Sequence, residues 1–147
     1  MLLLDKEPFY MKNKEVLIEF IRYIFVGGTA FVVDIMTLYL FKTKVFLELG
    51  DMGIYISTAL GFFVGLIFNY VLSLTFVFKS AKEERKGRNV FSFLLFSLIG
   101  IIGLLLTEAG MYVGVDFFNI NYLLTKIIVA VIVLIWNYAA RKVLIFT

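Results

Sequence analysis

Four runs of about 20 mainly apolar residues dominate this chain, each long enough to cross the hydrocarbon core of a bilayer as a helix. They are cut at 20–41, 53–78, 91–113 and 120–140. Inside lipid every backbone N–H and C=O has to be paired within its own segment, so the predicted fold class is an all-α membrane protein with four transmembrane helices. The runs use up most of the 147 residues, and 62% of the chain is hydrophobic against about half in a soluble domain. What remains is a short charged amino-terminal segment and three short loops, too little for a catalytic domain of usual size. Residues 1–147 are therefore expected to form a single membrane domain.

Met1 to Leu4, followed by Asp5, Lys6 and Glu7, lacks a basic region, a longer apolar stretch and a small-residue cleavage site. No signal peptide is expected, and the first helix serves as its own insertion signal. The chain contains neither Cys nor His. Thiolate and imidazole metal ligands, disulfides and the usual neutral-pH proton shuttle are thereby excluded, and no cofactor is expected.

Lys and Arg collect in cytoplasmic loops, so their placement sets the expected orientation. Eleven fall on one side: Lys6, Lys12, Lys14 and Arg22 at the amino end, Lys79, Lys82, Arg85, Lys86 and Arg88 in the central loop, and Arg141 and Lys142 at the carboxy end. The other side has Lys42, Lys44 and Lys126. Both termini are predicted to be cytoplasmic. Glu83 and Glu84 interrupt the basic loop, which reads as a topology signal, and no nucleic-acid partner is expected.

At an offset of 68 residues the second and fourth runs align, Asn69-Tyr70 on Asn137-Tyr138 and Phe78 on Phe146. The match suggests two tandem two-helix repeats in the same orientation. Close helix packing is signalled by Gly27-Gly28, by Gly61 and Gly65, and by Gly110 and Gly114, because small residues let backbones approach where lipid supplies no hydrophobic drive. Packing within the chain is the expected use. A homodimer is also expected, since four helices enclose little interior for a polar path.

An ionisable side chain inside the membrane costs about 2.5 to 3.5 kcal/mol on insertion scales and is a candidate functional residue by default. Arg22, Asp34, Glu108 and Lys126 qualify. At about 1.5 Å per residue, Asp34 lies roughly 21 Å from the cytoplasmic end of its run, Glu108 roughly 25 Å, and Lys126 roughly 9 Å below the outer surface. All three fall in the outer half, where Lys126 either pairs with a carboxylate or meets an anionic substrate. Asn137, eleven residues after Lys126 on the same helix face, extends a polar stripe inward. Arg22, Arg141 and Lys142 stand near the cytoplasmic surface, where basic residues attract the phosphate of lipids. Tyr70, Trp136 and Tyr138 read as interface anchors.

The order and spacing of "FIRYIFVGGTAFVVDIMTLYLF", "GLIFNYVLSLTFVF", the basic central loop and "KIIVAVIVLIWNYAARKVLIF" resemble the GtrA-like membrane proteins over residues 20–146. Where that family often has a basic residue after the Asn of its second helix, this chain has Leu72, Ser73 and Leu74. The resemblance implies a flippase, or an accessory to one, that moves a polyprenyl-phosphate-linked sugar from the cytoplasmic to the outer leaflet for cell-surface polysaccharide glycosylation. It carries over to Asn69, Lys126, Asn137 and Arg141.

The expected substrate-contacting set is therefore Arg22, Asp34, Asn69, Glu108, Lys126, Asn137 and Arg141, in a cell-membrane protein that is not an enzyme. Two other functions fit the residues: a membrane anchor or regulator of a polyprenyl-phosphate glycosyltransferase, and a small proton-coupled exporter of cationic drugs working through Asp34. The basic loop and Lys126 weigh against the exporter.

Overall fold

The computed structural model describes residues 9–79 and 86–147. Asp5, Lys6, Glu7, Lys82, Glu83, Glu84 and Arg85 lie outside the described residues. Among the described residues there is no strand, and four helices are long and apolar enough to cross a membrane. These are α1 (Phe9–Leu40), α2 (Gly50–Leu72), α3 (Val90–Tyr112) and α4 (Tyr122–Leu144). They form two compact units, residues 1–78 and 79–147, each an antiparallel hairpin of two helices.

The first helix starts at Phe9 and not at residue 20. Hydropathy marks where lipid begins, whereas helix length follows backbone preference, and Lys12, Lys14, Glu15, Leu17 and Glu19 include strong helix formers. The 32 residues of α1 reach about 48 Å, well beyond the roughly 30 Å of a hydrocarbon core. The fourth helix starts two residues later than its apolar run, because Asn121 accepts the Leu124 N–H on Oδ1 (3.4 Å) and stands as the cap. In the same way Asn89 Oδ1 accepts the Ser92 N–H at 2.7 Å and fixes the start of α3.

All four helices close on a wide turn whose donor is a Phe. The N–H groups of Phe46, Phe78, Phe118 and Phe146 reach the carbonyls five residues back, on Phe41, Ser73, Val113 and Arg141, at 2.8, 3.0, 3.1 and 3.2 Å. Such i to i−5 closures widen the last turn and satisfy carbonyls that a regular helix end would leave open. The hairpin tips then use residues that tolerate positive φ, Gly50 (56°) in the first and Asn119 (53°) in the second.

Packing within each hairpin depends on small residues, and the two hairpins place them on opposite helices. In the first, Gly53, Ser57, Gly61 and Gly65 recur every four residues on α2 and are buried. A Cβ on Gly61 would stand 2.5 Å from Asp34 Oδ1 and 2.6 Å from the Asp34 carbonyl oxygen, and one on Gly65 would stand 3.0 Å from the Ala30 carbonyl oxygen. The backbone of α1 thus lies directly on α2. In the second hairpin the small residues are on α3: Gly103 takes Asn137, Gly110 takes Val129 and Gly114 takes Thr125.

Gly27-Gly28 departs from the expected close packing. Among the described residues nothing stands within 4 Å of a Cβ on either glycine. The reason is rotational: α1 buries Tyr23, Val26 and Ala30, leaving Gly28 on an exposed side.

The 68-residue offset holds in the packing. Ser57 and Thr125 are both buried, with hydroxyl oxygens that have no hydrogen-bond partner among the described residues. Ser73 and Arg141, Val77 and Ile145, and Phe78 and Phe146 are likewise buried pair by pair.

Candidate functional site

The most unusual polar arrangement is on the inner face of the second hairpin, where α4 presents Asn137 and, one turn later, Arg141 toward α3. Arg141 is only 4% exposed. Burying a guanidinium is costly unless its charge is engaged. Its Cζ lies 3.6 Å from the centroid of the Phe96 ring, and Nη2 donates to the Phe96 carbonyl oxygen at 3.5 Å, the long limit of such a bond. A desolvated cation over an aromatic face gains about 2 kcal/mol. The last turn of α4 adds the negative end of the helix dipole, which favours a cation there.

Gly100 and Gly103 of α3 make room for both side chains. A Cβ on Gly100 would stand 3.2 Å from Arg141 Nη2, and one on Gly103 would stand 2.6 Å from Asn137 Oδ1 and 2.8 Å from its Nδ2. Asn137 Oδ1 is buried, with no hydrogen-bond partner among the described residues. Buried acceptors are nearly always satisfied, so a bare one next to a buried cation marks a place where a donor group belongs. Chemically, the notch offers a guanidinium for an oxyanion and an amide oxygen for a hydroxyl.

At the equivalent place in the first hairpin the Asn is followed one turn later by a Ser and not by a cation. Asn69 is half-buried, and its Oδ1 accepts the Ser73 hydroxyl at 3.1 Å. Ser73 stands where Arg141 stands in the second hairpin, so the amide oxygen that Arg141 leaves bare is satisfied here.

The remaining residues expected to meet substrate are spread over both hairpins. Arg22 and Asp34 are half-buried on α1, with Asp34 set against Gly61 and Gly65. Glu108 on α3 and Lys126 on α4 are exposed at the surface of the second hairpin. Lys126 is the fifth residue of α4, about 6 Å from the helix start and within reach of headgroups for a long side chain. Among the described residues, no cluster of three or more Asp, Glu, His or Cys can hold a metal ion.

Sequence reasoning did not single out Phe96, Gly100 or Gly103, and it named Ser73 only as one of three residues where a basic one is missing. Gly100 and Gly103 form a three-residue spacing in a run of large apolar residues, and the 68-residue offset lays Ser73 on Arg141; both signals were present. Phe96 had none, being one of 17 Phe.

No curated protein and no solved structure matches this chain. The family described as GtrA/DPMS, transmembrane domain, matches residues 22–146, which takes in most of the first hairpin and every residue of the Asn137–Arg141 notch. This membrane protein belongs to the GtrA/DPMS transmembrane domain family.

Proposed function

We propose that the chain translocates a polyprenyl-phosphate-linked monosaccharide from the cytoplasmic to the outer leaflet of the cell membrane, for cell-surface polysaccharide glycosylation. The observation that carries this reading is the buried Arg141 guanidinium beside the unsatisfied Asn137 oxygen. An amphiphile with a phosphate next to a polyol suits both groups, offering an oxyanion to the guanidinium and a hydroxyl donor to the bare amide oxygen. Family membership supports the same lipid class.

In this mechanism no covalent bond breaks and no cofactor takes part. Arg141 receives the phosphate in the second hairpin, and Arg22 offers a basic contact in the first. Asn137 accepts a sugar hydroxyl. Asn69, Asp34, Glu108 and Lys126 furnish further polar contacts for the sugar, while the prenyl tail stays in lipid. The excess of Lys and Arg at both ends and in the central loop sets the termini in the cytoplasm, so Arg141 meets the lipid where it is made. A second copy of the chain extends the polar path. The buried Arg141 weighs against export of cationic drugs, which a fixed positive charge would repel.

A second reading, a membrane anchor or regulator of a polyprenyl-phosphate glycosyltransferase, is favoured by the amino-terminal part of α1. Lys12 to Ile18 is helical and exposed ahead of the apolar run, and Val16, Leu17 and Ile18 offer a partner apolar area. Liposomes holding only the purified protein separate the two. Transfer of the sugar lipid to the outer face, above that in empty liposomes, is the expected result. Well-folded protein that moves no lipid, and that co-purifies with a glycosyltransferase from membranes, establishes the anchor instead.

A further inference from the structure

The described end of the basic loop, Lys86 to Arg88, is held against the carboxy end of α4. Gly87 is buried, with φ at 76°, a conformation that favours glycine. A Cβ there would stand 2.7 Å from Phe146 Cε1 and 3.1 Å from Ile145 Cγ2, so the loop backbone lies on the carboxy end of α4. Phe146 meets Phe96 edge to face, with ring centroids 6.4 Å apart, and Phe96 carries the Arg141 guanidinium on its face. Loop, aromatic pair and buried cation are therefore one packed arrangement.

That arrangement gathers charge. Lys86 and Arg88, which flank Gly87, are exposed. Lys142 is half-buried beside Arg141, its Nζ donating to the Tyr138 hydroxyl at 3.3 Å. Three accessible or half-accessible cations thus stand at the end of the hairpin where a fourth is buried. A topology signal requires only that basic residues be present in the loop. It does not require that they be fixed at the carboxy end of α4 by a glycine that would clash with Phe146 if it carried a side chain.

Building on the assignment of Arg141 to the phosphate, we infer that Lys86, Arg88 and Lys142 form an outer capture site for the phosphate group of the lipid substrate, held in place by Gly87 and leading to Arg141. Basic residues at a membrane surface draw anionic headgroups, and two of them contribute enough attraction for a change in affinity of about thirtyfold. The outer site raises the local concentration of the headgroup; Arg141 then takes it where water is excluded.

The test is binding of polyprenyl phosphate to the full chain in nanodiscs of neutral phosphatidylcholine, with thermal unfolding as a control for folding. K86Q/R88Q is expected to weaken binding about thirtyfold and to flatten its dependence on salt. G87A keeps both charges but displaces them, and is expected to weaken binding about tenfold. Unchanged affinity in K86Q/R88Q overturns the capture site while leaving the flippase reading intact if R141Q still loses binding. Unchanged affinity in all three, R141Q included, overturns the assignment of Arg141 itself. Should G87A fail to fold, the double charge variant alone decides. Inorganic phosphate competing as strongly as polyprenyl phosphate, or phosphatidylglycerol doing so, overturns lipid-substrate capture in favour of a general anion or membrane-surface attraction.

Discussion

Ser73 and Arg141 occupy the same place in the two hairpins: 68 residues apart, each is buried, each follows an Asn by one turn, and each gives its carbonyl to a Phe N–H five residues on. The side chains then diverge. Ser73 satisfies the Asn69 amide oxygen, whereas Arg141 turns to the Phe96 ring and leaves the Asn137 oxygen bare. The repeat thereby carries a neutral Asn–Ser pair in one hairpin and a cationic Asn–Arg pair in the other. S73A is expected to cost about 1 kcal/mol, by leaving Asn69 Oδ1 unpaired, and to leave polyprenyl phosphate binding unchanged. Thermal unfolding and a binding titration check the two halves; a large loss of binding would assign phosphate contact to the neutral pair.

The glycines divide into those that carry a helix contact and those that do not. G61A or G65A drives a methyl group into Asp34 or the Ala30 carbonyl and is expected to cost about 1 to 3 kcal/mol. G27A and G28A meet nothing among the described residues, and each is expected to be neutral or to gain up to about 1 kcal/mol from helix preference. Unfolding midpoints of the four variants in detergent test the division. A destabilised G28A with a reduced dimer fraction would show that a second copy packs on that side.

Gly103 and Asn137 form a coupled pair. G103A pushes a methyl group against the Asn137 amide and is expected to destabilise by about 1 to 3 kcal/mol in the native background. In the N137A background the methyl has room, so the same substitution should cost close to nothing. A double-mutant cycle on unfolding free energy measures the coupling, and additive costs would mean that Gly103 serves some other contact.

Orientation follows from the same charges that the mechanism uses. Reporters at the two termini and beside Arg88 are expected to be accessible from the cytoplasmic side alone. Accessibility of either terminus from outside would place Arg141 on the wrong leaflet for loading.

The helices and the repeat were legible because apolar runs and the paired Asn69 and Asn137 need no tertiary context. Helix ends were less so. Phe9 and Asn121 set boundaries through helix preference and capping, which hydropathy does not measure, and the wide Phe-closed turns leave no composition signal. Arg141 was legible as a basic residue near the membrane surface, but not as a buried one. Its burial depends on which face α4 turns to α3 and on Phe96 being opposite, a relation between helices that no local pattern encodes. Gly27-Gly28 was one of three small-residue signals and packs on nothing among the described residues, because the rotation of α1 is fixed by Tyr23, Val26 and Ala30.

Lipid transfer by R141Q, compared with the native chain in liposomes of matched protein content, goes straight to the role of the notch. Both proteins must first show the same helical content and comparable unfolding midpoints. Loss of transfer by about tenfold or more, the expected result for removing a charged contact to phosphate, would place the headgroup at Arg141. Transfer by folded R141Q at the native rate would contradict that placement and leave Arg141 as a packing residue held by Phe96.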